Sequence, residues 1–213
     1  MINYLTEFAG LMAVFGVLIV APGADFALVI RQSVVYGRRA AMVTSIGIGC
    51  SLLFHIGYTI LGIGLIVSKS LFLFGLLKSL GAAYLIYLGI KAFREPALAI
   101  EGGDEAESSE HLPAWKLFGM GFVTNALNPK PVLFFLSLFS ALVSPHTPVG
   151  VQALYGLGMA TALILWFFGV SLVFTSKPVR ERFVATGRWF NRAAGALFIG
   201  LGLRLALVQA RAQ

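Results

Sequence analysis

Charged residues are scarce in this sequence of 213 residues. Only 12% of its residues are Asp, Glu, Lys or Arg, whereas 58% are hydrophobic. Soluble domains carry roughly 25% charged and 45–50% apolar residues, so this chain has too little polar surface to cover a water-soluble globule. The composition excludes a soluble enzyme, and the 18 Phe, 6 Tyr and 3 Trp residues exclude intrinsic disorder. We therefore predict an all-α integral membrane protein.

Cysteine and the motifs of soluble catalysis are also missing. The single Cys50 excludes an intramolecular disulfide framework and a zinc site with several cysteines. The sequence contains no phosphate-binding glycine loop followed by Lys-Ser or Lys-Thr, no His-Glu-x-x-His and no Gly-x-Ser-x-Gly. These absences argue against an ATPase domain, a zinc protease and an α/β-hydrolase. We expect neither enzyme activity nor a cofactor or bound metal.

Long charge-free runs indicate six membrane spans. A spanning helix needs about 20 mostly apolar residues. The run 131–176 contains no charge over 46 positions, and the turn sequence at 144–148 divides it because its two prolines disfavour a helix. Two other apolar stretches each contain one basic residue, whose long side chain can reach the membrane interface. The predicted spans lie near 8–24, 40–68, 71–90, 115–143, 149–175 and 193–210.

The basic residues are distributed asymmetrically around these spans. They give a net charge of +7, but they cluster between apolar runs, as in loops that face an anionic lipid surface. We therefore expect a lipid bilayer, and no nucleic acid, as partner. Eleven basic residues, including Arg31 and five in the predicted loop 177–192, fall on one side of the spans, and four fall on the other. The positive-inside rule makes the first side cytoplasmic and places both termini outside.

The two halves of the chain share landmarks in the same order. The matching pairs are Pro22 and Pro129 (107 residues apart), Gly47 and Gly156 (109), and Gly81 and Gly195 (114). Each half has three spans, an odd number, so the second half would enter the membrane inverted, as in many secondary transporters. The alternative is that apolar helices share glycines by composition alone. The predicted units are a first repeat over 1–93, an acidic cytoplasmic linker over 94–114 and a second repeat over 115–213.

A Pro-Gly step followed by an acid interrupts the first span. Pro22 cannot donate a helix hydrogen bond and Gly23 is a weak helix former, so this step frees backbone groups that must face protein or a wet cavity. Asp25 follows directly, and a carboxylate deep in a bilayer must take up a proton or find a cation. It is either part of a coupling site or the cap of a helix segment that begins at Phe26.

The fourth span contains the matching break, Asn-Pro-Lys-Pro at 128–131. Asn125 and Asn128 are suited to hold a polar ligand or to satisfy freed backbone groups. Lys130 is costly in a membrane unless it is paired. If the repeat is real, Pro129 faces Pro22 and Lys130 falls near the same cavity as the acid of the first break. An acid and a base so placed match a zwitterion, and the alternative is a structural ion pair.

Two further residues are candidates for the transport path. His55 lies near the centre of the second span, where an imidazole can relay protons near neutral pH. A lone histidine is also found as a packed residue with one hydrogen bond, and that reading stays open. Tyr84 in the third span is either a core residue or a residue that lines the path.

Several segments together resemble the LysE/RhtB family of amino-acid exporters. They are Pro-Gly-Ala-Asp-Phe at 22–26, Arg-Gln-Ser at 31–33, Tyr-Gly-Arg-Arg-Ala at 36–40, Gly-Ile-Gly at 47–49, the third span at 81–91 and the fourth at 118–135. The family usually has Pro-Gly-Pro at the first break, and here Ala24 replaces the second proline. The resemblance implies proton-driven efflux of amino acids or their derivatives, such as threonine, homoserine or its lactone, across the inner membrane of a bacterium.

The sequence therefore predicts a multi-pass exporter in which a proton is exchanged for an amino-acid-like molecule. The other hypotheses are a membrane-embedded enzyme and a structural membrane subunit, and a homodimer is left open. The candidate substrate and proton pathway residues are Pro22, Gly23, Asp25, Arg31, His55, Tyr84, Asn125, Asn128, Pro129 and Lys130.

Overall fold

The computed structural model describes residues 3–21, 23–94, 112–174 and 176–210. All regular secondary structure in these ranges is helical. The helices are α1 (Tyr4–Val20), α2 (Ala24–Val35), α3 (Arg38–Lys69), α4 (Leu71–Arg94), α5 (Ala114–Ala126), α6 (Pro129–Leu142), α7 (Val149–Val173) and α8 (Lys177–Ala210).

The first span is broken, as the sequence predicts. Helices α1 and α2 meet at an angle of 54°, and Gly23 is the N-cap of α2. Pro22 itself lies outside the described residues. Helix α2 continues to Val35, so Arg31 is helical, and its predicted placement in a loop is wrong. The helix continues because the next glycine is Gly37, which ends the segment with a φ of 86° that favours glycine.

The fourth predicted span is also broken. Helix α5 ends at Ala126, and α6 begins at Pro129 after the N-cap Asn128. Proline is tolerated at the first helical position because the amide hydrogen that it lacks has no partner inside the helix. The break therefore lies where the Asn-Pro-Lys sequence predicts it.

Among the described residues, three helices are long and apolar enough to cross a membrane, and the bent pair α1–α2 adds a fourth. This count is lower than the six predicted spans partly because the second break divides the fourth predicted span into two short helices, α5 and α6. The predicted sixth span, 193–210, is part of the longer helix α8. The predicted loop 177–192 is wrong, since α8 already begins at Lys177 and Pro178 occupies its tolerant first turn. Residues 95–111 of the predicted linker lie outside the described residues.

Glycines let α3 and α5 cross with their backbones in contact. A Cβ atom built on Gly47 would overlap the Phe118 carbonyl oxygen, and one built on Gly121 would overlap the Thr44 carbonyl oxygen. Such close approach is how small residues drive helix packing in membranes. This crossing fixes α5, and with it the second break, against α3.

We expect Gly47→Ala to prevent stable folding. The added methyl group meets backbone rather than a side chain that can rotate away, so the cost reaches about 3 kcal/mol, the upper end for overpacked sites. The measurement is the yield of monodisperse protein in detergent and its melting temperature. Gly57→Ala in the same helix is the matched control, because no atom lies within 4 Å of its new Cβ. Equal yields and melting temperatures for the two variants would contradict the packing.

The core between the two halves is built from aromatic side chains. Phe15 of α1 contacts Phe135 of α6 with ring centroids 5.9 Å apart, and Phe134 contacts Phe198 of α8 at 5.7 Å. All four side chains are buried. Aromatic pairs of this kind add to the stabilisation from burial alone. They hold α6, the helix that follows the second break, between α1 and α8.

Candidate functional site

The two broken helices face each other across one cavity. The space that water-sized molecules could occupy in it is about 80 Å³. Helices α3 and α7 supply the remaining wall. The lining residues are Phe15, Leu18, Ile19, Ala21, Gly23, Ala24, Asp25, Phe26, Leu52, Asn125, Asn128, Lys130, Pro131, Phe135, Leu163 and Phe167. Most of these residues are apolar, and the polar side chains come from the two breaks: Asp25, Asn125, Asn128 and Lys130.

Asp25 and Asn125 join the two breaks directly. Asn125 Nδ2 donates a hydrogen bond to Asp25 Oδ2 at 2.7 Å. Helix α2 begins at Ala24, and its N-cap Gly23 makes no side-chain cap bond. Asp25 is therefore in the first turn and is not the cap of a helix beginning at Phe26. An acid in the first turn still interacts favourably with the positive end of the helix dipole.

Two acceptor atoms in this pair have no hydrogen-bond partner among the described residues. They are Asp25 Oδ1 and Asn125 Oδ1, and both atoms are buried. Burying a polar atom without a partner costs about 1–3 kcal/mol. Native structures keep few such atoms, and each one calls for an explanation. Here both belong to residues that line the central cavity.

His55 stands behind Asn125. Its Nε2 atom lies 3.0 Å from the Asn125 carbonyl oxygen, and its Nδ1 atom contacts the Tyr58 hydroxyl. A carbonyl oxygen only accepts, so Nε2 carries the hydrogen and, in the neutral ring, Nδ1 accepts from Tyr58. His55 is fully buried and does not line the cavity. His55 therefore contacts the backbone of Asn125, which is one of the lining residues, and is not a lining residue itself.

Asn128, Lys130 and Tyr84 organise the start of α6. Asn128 Oδ1 accepts a hydrogen bond from the Lys130 amide at 3.0 Å, so Asn128 satisfies backbone freed by the break. The Tyr84 hydroxyl donates to the Lys130 carbonyl oxygen at 3.3 Å. The Lys130 side chain lines the cavity and acts electrostatically on the Asp25 carboxylate. The predicted acid and base are thus in one cavity.

The structure does not bring every candidate to this site. Arg31 is exposed on α2 and does not line the cavity. Its neighbours Gln32 and Ser33 are buried instead, and Ser33 Oγ donates to the Ser171 carbonyl oxygen at 2.9 Å, which ties α2 to α7. The apolar wall residues, such as Phe15 and Phe167, escaped the sequence analysis because nothing distinguishes them from other core residues of membrane helices.

A second polar cluster surrounds Glu7, near the start of α1. Its carboxylate accepts hydrogen bonds from the Ser144 amide at 2.9 Å, from Thr147 Oγ1 at 2.9 and 3.1 Å, and from the Tyr155 hydroxyl at 3.0 Å. Thirteen residues of helix separate Glu7 from Val20, or about 20 Å along the axis. The cluster therefore fastens α1 to the α6–α7 loop and to α7 at the end remote from the cavity.

Comparison with known proteins places the sequence in one group. The sequence profile of the family described as LysE type translocator matches residues 16–209. The threonine efflux protein of Salmonella typhimurium is 32% identical over 196 residues, which cover 90% of this chain and 93% of that protein. The threonine efflux protein of Escherichia coli K12 is 30% identical over 193 residues, with the same coverage. The leucine efflux protein of Salmonella choleraesuis is 30% identical over 218 residues, and this alignment covers 98% of this chain and 96% of that protein. No solved structure matches the chain.

Proposed function

The chain belongs to the LysE type translocator family, and from this we propose that it exports amino acids or their derivatives from the bacterial cytoplasm across the inner membrane. The relatives named for threonine and leucine efflux support this substrate class. The observation that carries the proposal is the cavity between two broken helices, whose lining includes both Asp25 and Lys130. Transporters of many folds bind substrate where discontinuous helices meet near the membrane midplane.

An amino acid is a zwitterion, and the cavity provides a complement to each charge. Asp25 Oδ1 and Asn125 Oδ1 are acceptors without partners, and they are placed to receive the substrate ammonium group. Lys130 is the cationic residue of the lining and suits the carboxylate. The aromatic wall of Phe15, Phe135 and Phe167 surrounds the remainder of the substrate. Binding thus gives the orphaned acceptors of the free protein their partners.

We assign the coupling proton to Asp25. When its carboxyl group is protonated the substrate ammonium loses its counter-charge, so one site alternates between proton and substrate. His55 and Tyr58 form a hydrogen-bonded pair behind Asn125, and the His55 bond to the Asn125 carbonyl oxygen helps to position the partner of Asp25. Each charge that moves through the membrane potential supplies about 2.3 kcal/mol per 100 mV. Protons that enter down their gradient would then drive substrate out against its own.

Two helix crossings support the inverted repeat of 1–93 and 115–213, joined by the cytoplasmic linker 94–114. In the α4–α8 crossing, a Cβ on Gly89 would lie 2.7 Å from the Gly195 carbonyl oxygen, and one on Gly202 would lie 2.8 Å from the Ala82 carbonyl oxygen. With the two halves offset by 114 residues, Gly89 corresponds to Leu203 and Gly195 corresponds to Gly81. Each of these is one residue away from the second contact, Gly202 with Ala82. In the α3–α7 crossing, Gly49 meets Ile164 while Gly156 meets Ile56, again as a near-symmetric antiparallel pair.

The basic residues favour a topology with six membrane crossings and both termini outside the cytoplasm. We expect an alkaline-phosphatase fusion at the carboxy terminus to be active and a green-fluorescent fusion there to be dark, because only the first folds outside the cytoplasm. A matched pair of fusions after Arg94, at the cytoplasmic end of α4, should give the reverse result. Activity of the phosphatase after Arg94 alone would contradict the orientation.

Counterflow in proteoliposomes separates export from the two other hypotheses. Vesicles loaded with unlabelled threonine or leucine should take up the labelled amino acid transiently, with no chemical change in the label. A membrane-embedded enzyme would convert the label, and a structural subunit would leave uptake at the level of empty liposomes. Two broken helices with an acid and a base at the breaks favour the transporter, since a structural subunit gains nothing from them.

A further inference from the structure

A second, smaller cavity adjoins the central one. It has about 20 Å³ of space for water-sized molecules and lies between the break of the first span, the end of α4, the start of α6 and the middle of α8. Its lining residues are Ala21, Leu88, Lys91, Ala92, Lys130, Asn191, Ala194 and Phe198. Ala21 and Lys130 also line the central cavity. These two residues form a shared wall, so a molecule in one cavity is adjacent to the other.

The smaller cavity lies toward the cytoplasmic end of the proposed topology. Lys91 is in the last turn of α4, which ends at Arg94 where the linker begins. Asn191 is on α8 just before Gly195, the residue that meets Gly89 of α4 in the crossing described above. At the opposite end of the protein, the Glu7 cluster fastens α1 to α7. The smaller cavity and the Glu7 cluster thus lie on opposite sides of the central cavity.

The chemistry of this lining suits an anion. Two of its eight residues are lysines, Lys91 and Lys130, and none of them is acidic. Asn191 lines the cavity and is only 2% exposed to solvent. Its side-chain amide can donate a hydrogen bond to an oxygen anion. Lys91 is exposed, so it meets a solute before the buried groups do. The other lining residues are apolar and do not compete for the anion.

We propose that this cavity is a cytoplasmic vestibule for the substrate carboxylate, in which Lys91 and Asn191 receive the amino acid before Lys130 does. The proposal rests on the proposed export function. In the vestibule the carboxylate meets Lys91 and Asn191, and the ammonium group trails toward the cytoplasm. Transfer past Ala21 brings the carboxylate to Lys130, which already lines both cavities, so the carboxylate keeps a cationic partner throughout. The ammonium group then rotates into the central cavity toward Asp25.

Everted membrane vesicles test the vestibule, because their cytoplasmic face is accessible from the medium. Uptake of labelled threonine should show a half-saturating concentration about fivefold higher for Lys91→Gln than for the wild type, as for loss of a partly solvated ion pair. The maximal rate should stay unchanged, since the central site is intact. Lys91→Arg should behave as wild type, and Asn191→Ala should shift in the same direction as Lys91→Gln. Lys116→Gln is the matched control, a cytoplasmic-side exposed lysine that lines neither cavity.

A carboxylate-free competitor makes the assignment specific. Threonine amide should inhibit Lys91→Gln and wild-type vesicles at the same concentration, because it lacks the group that Lys91 receives. An unshifted half-saturating concentration in Lys91→Gln, or an equal shift in Lys116→Gln, would overturn the vestibule while leaving export intact. Absence of uptake by wild-type vesicles would overturn the export function itself and the vestibule with it.

Discussion

Asp25→Asn should abolish accumulation of substrate against its gradient while leaving exchange of substrate for substrate. Asparagine keeps the size of the side chain and can still pair with Asn125, which donates to Asp25 at 2.7 Å in the native protein. It cannot ionise, so the site no longer alternates between a proton and an ammonium group. We expect driven accumulation to fall to the level of empty liposomes. Counterflow should remain detectable but require higher substrate concentrations, because the ammonium group has lost its counter-charge while Lys130 can still bind the carboxylate. The measurement compares both activities on one preparation.

Asp25→Glu is the control for this variant. It keeps the ionisable group at a slightly longer reach, so partial driven accumulation should remain. Both proteins should elute as monodisperse species, because the wall of the cavity is unchanged. If Asp25→Asn accumulates substrate at the wild-type rate with the same pH dependence, Asp25 does not carry the proton. The coupling group would then be sought at His55, or the protein would be a facilitator without proton coupling.

Lys130→Gln should lose both transport and stability, for separable reasons. The Asp25 carboxylate loses the neighbouring cation that acts on it, and the buried acid must stay uncompensated or take up a proton. We expect a loss of about 2 kcal/mol, seen as a melting temperature lower by roughly 4–8 °C. Transport should fall at least about tenfold, since the substrate carboxylate loses a charge-assisted partner.

The double variant Asp25→Asn/Lys130→Gln distinguishes a binding site from a structural ion pair. Removing both charges relieves the uncompensated acid, so the melting temperature should return toward that of the wild type. Transport should stay lost, because neither end of a zwitterion then has a charged partner. Recovery of transport together with stability would show that the two residues serve the fold alone.

The breaks were predictable because proline, glycine and intramembrane charge have few other uses inside a span. If the halves repeat, the sequence predicts Asp25 and Lys130 near one cavity, and both residues line the central cavity, as do Gly23 and Asn125. The sequence alone did not distinguish the roles of the two asparagines, Asn125 and Asn128. Only the geometry shows that Asn125 binds Asp25 whereas Asn128 caps α6.

Other features had no readable signal. The apolar residues that line the cavity are of the same types as the other apolar residues of the spans, so the sequence does not distinguish them. Arg31 is a predicted pathway residue in the Arg-Gln-Ser segment, yet on α2 its neighbours Gln32 and Ser33 are buried and Arg31 is exposed. The charge density of 177–192 predicts a loop, but Pro178 lies in the first turn, where proline is tolerated, and the isolated Gly187 does not end the helix.

The most direct test of proton-coupled export is accumulation driven by an imposed pH gradient. Proteoliposomes that are acidic inside, containing the purified wild-type protein, are given labelled threonine or leucine in the medium. Outward proton flow should drive the label to an internal concentration above the external one, and a protonophore added at the plateau should release it. A label that only equilibrates, with the same rate and plateau with and without the gradient, would contradict the account.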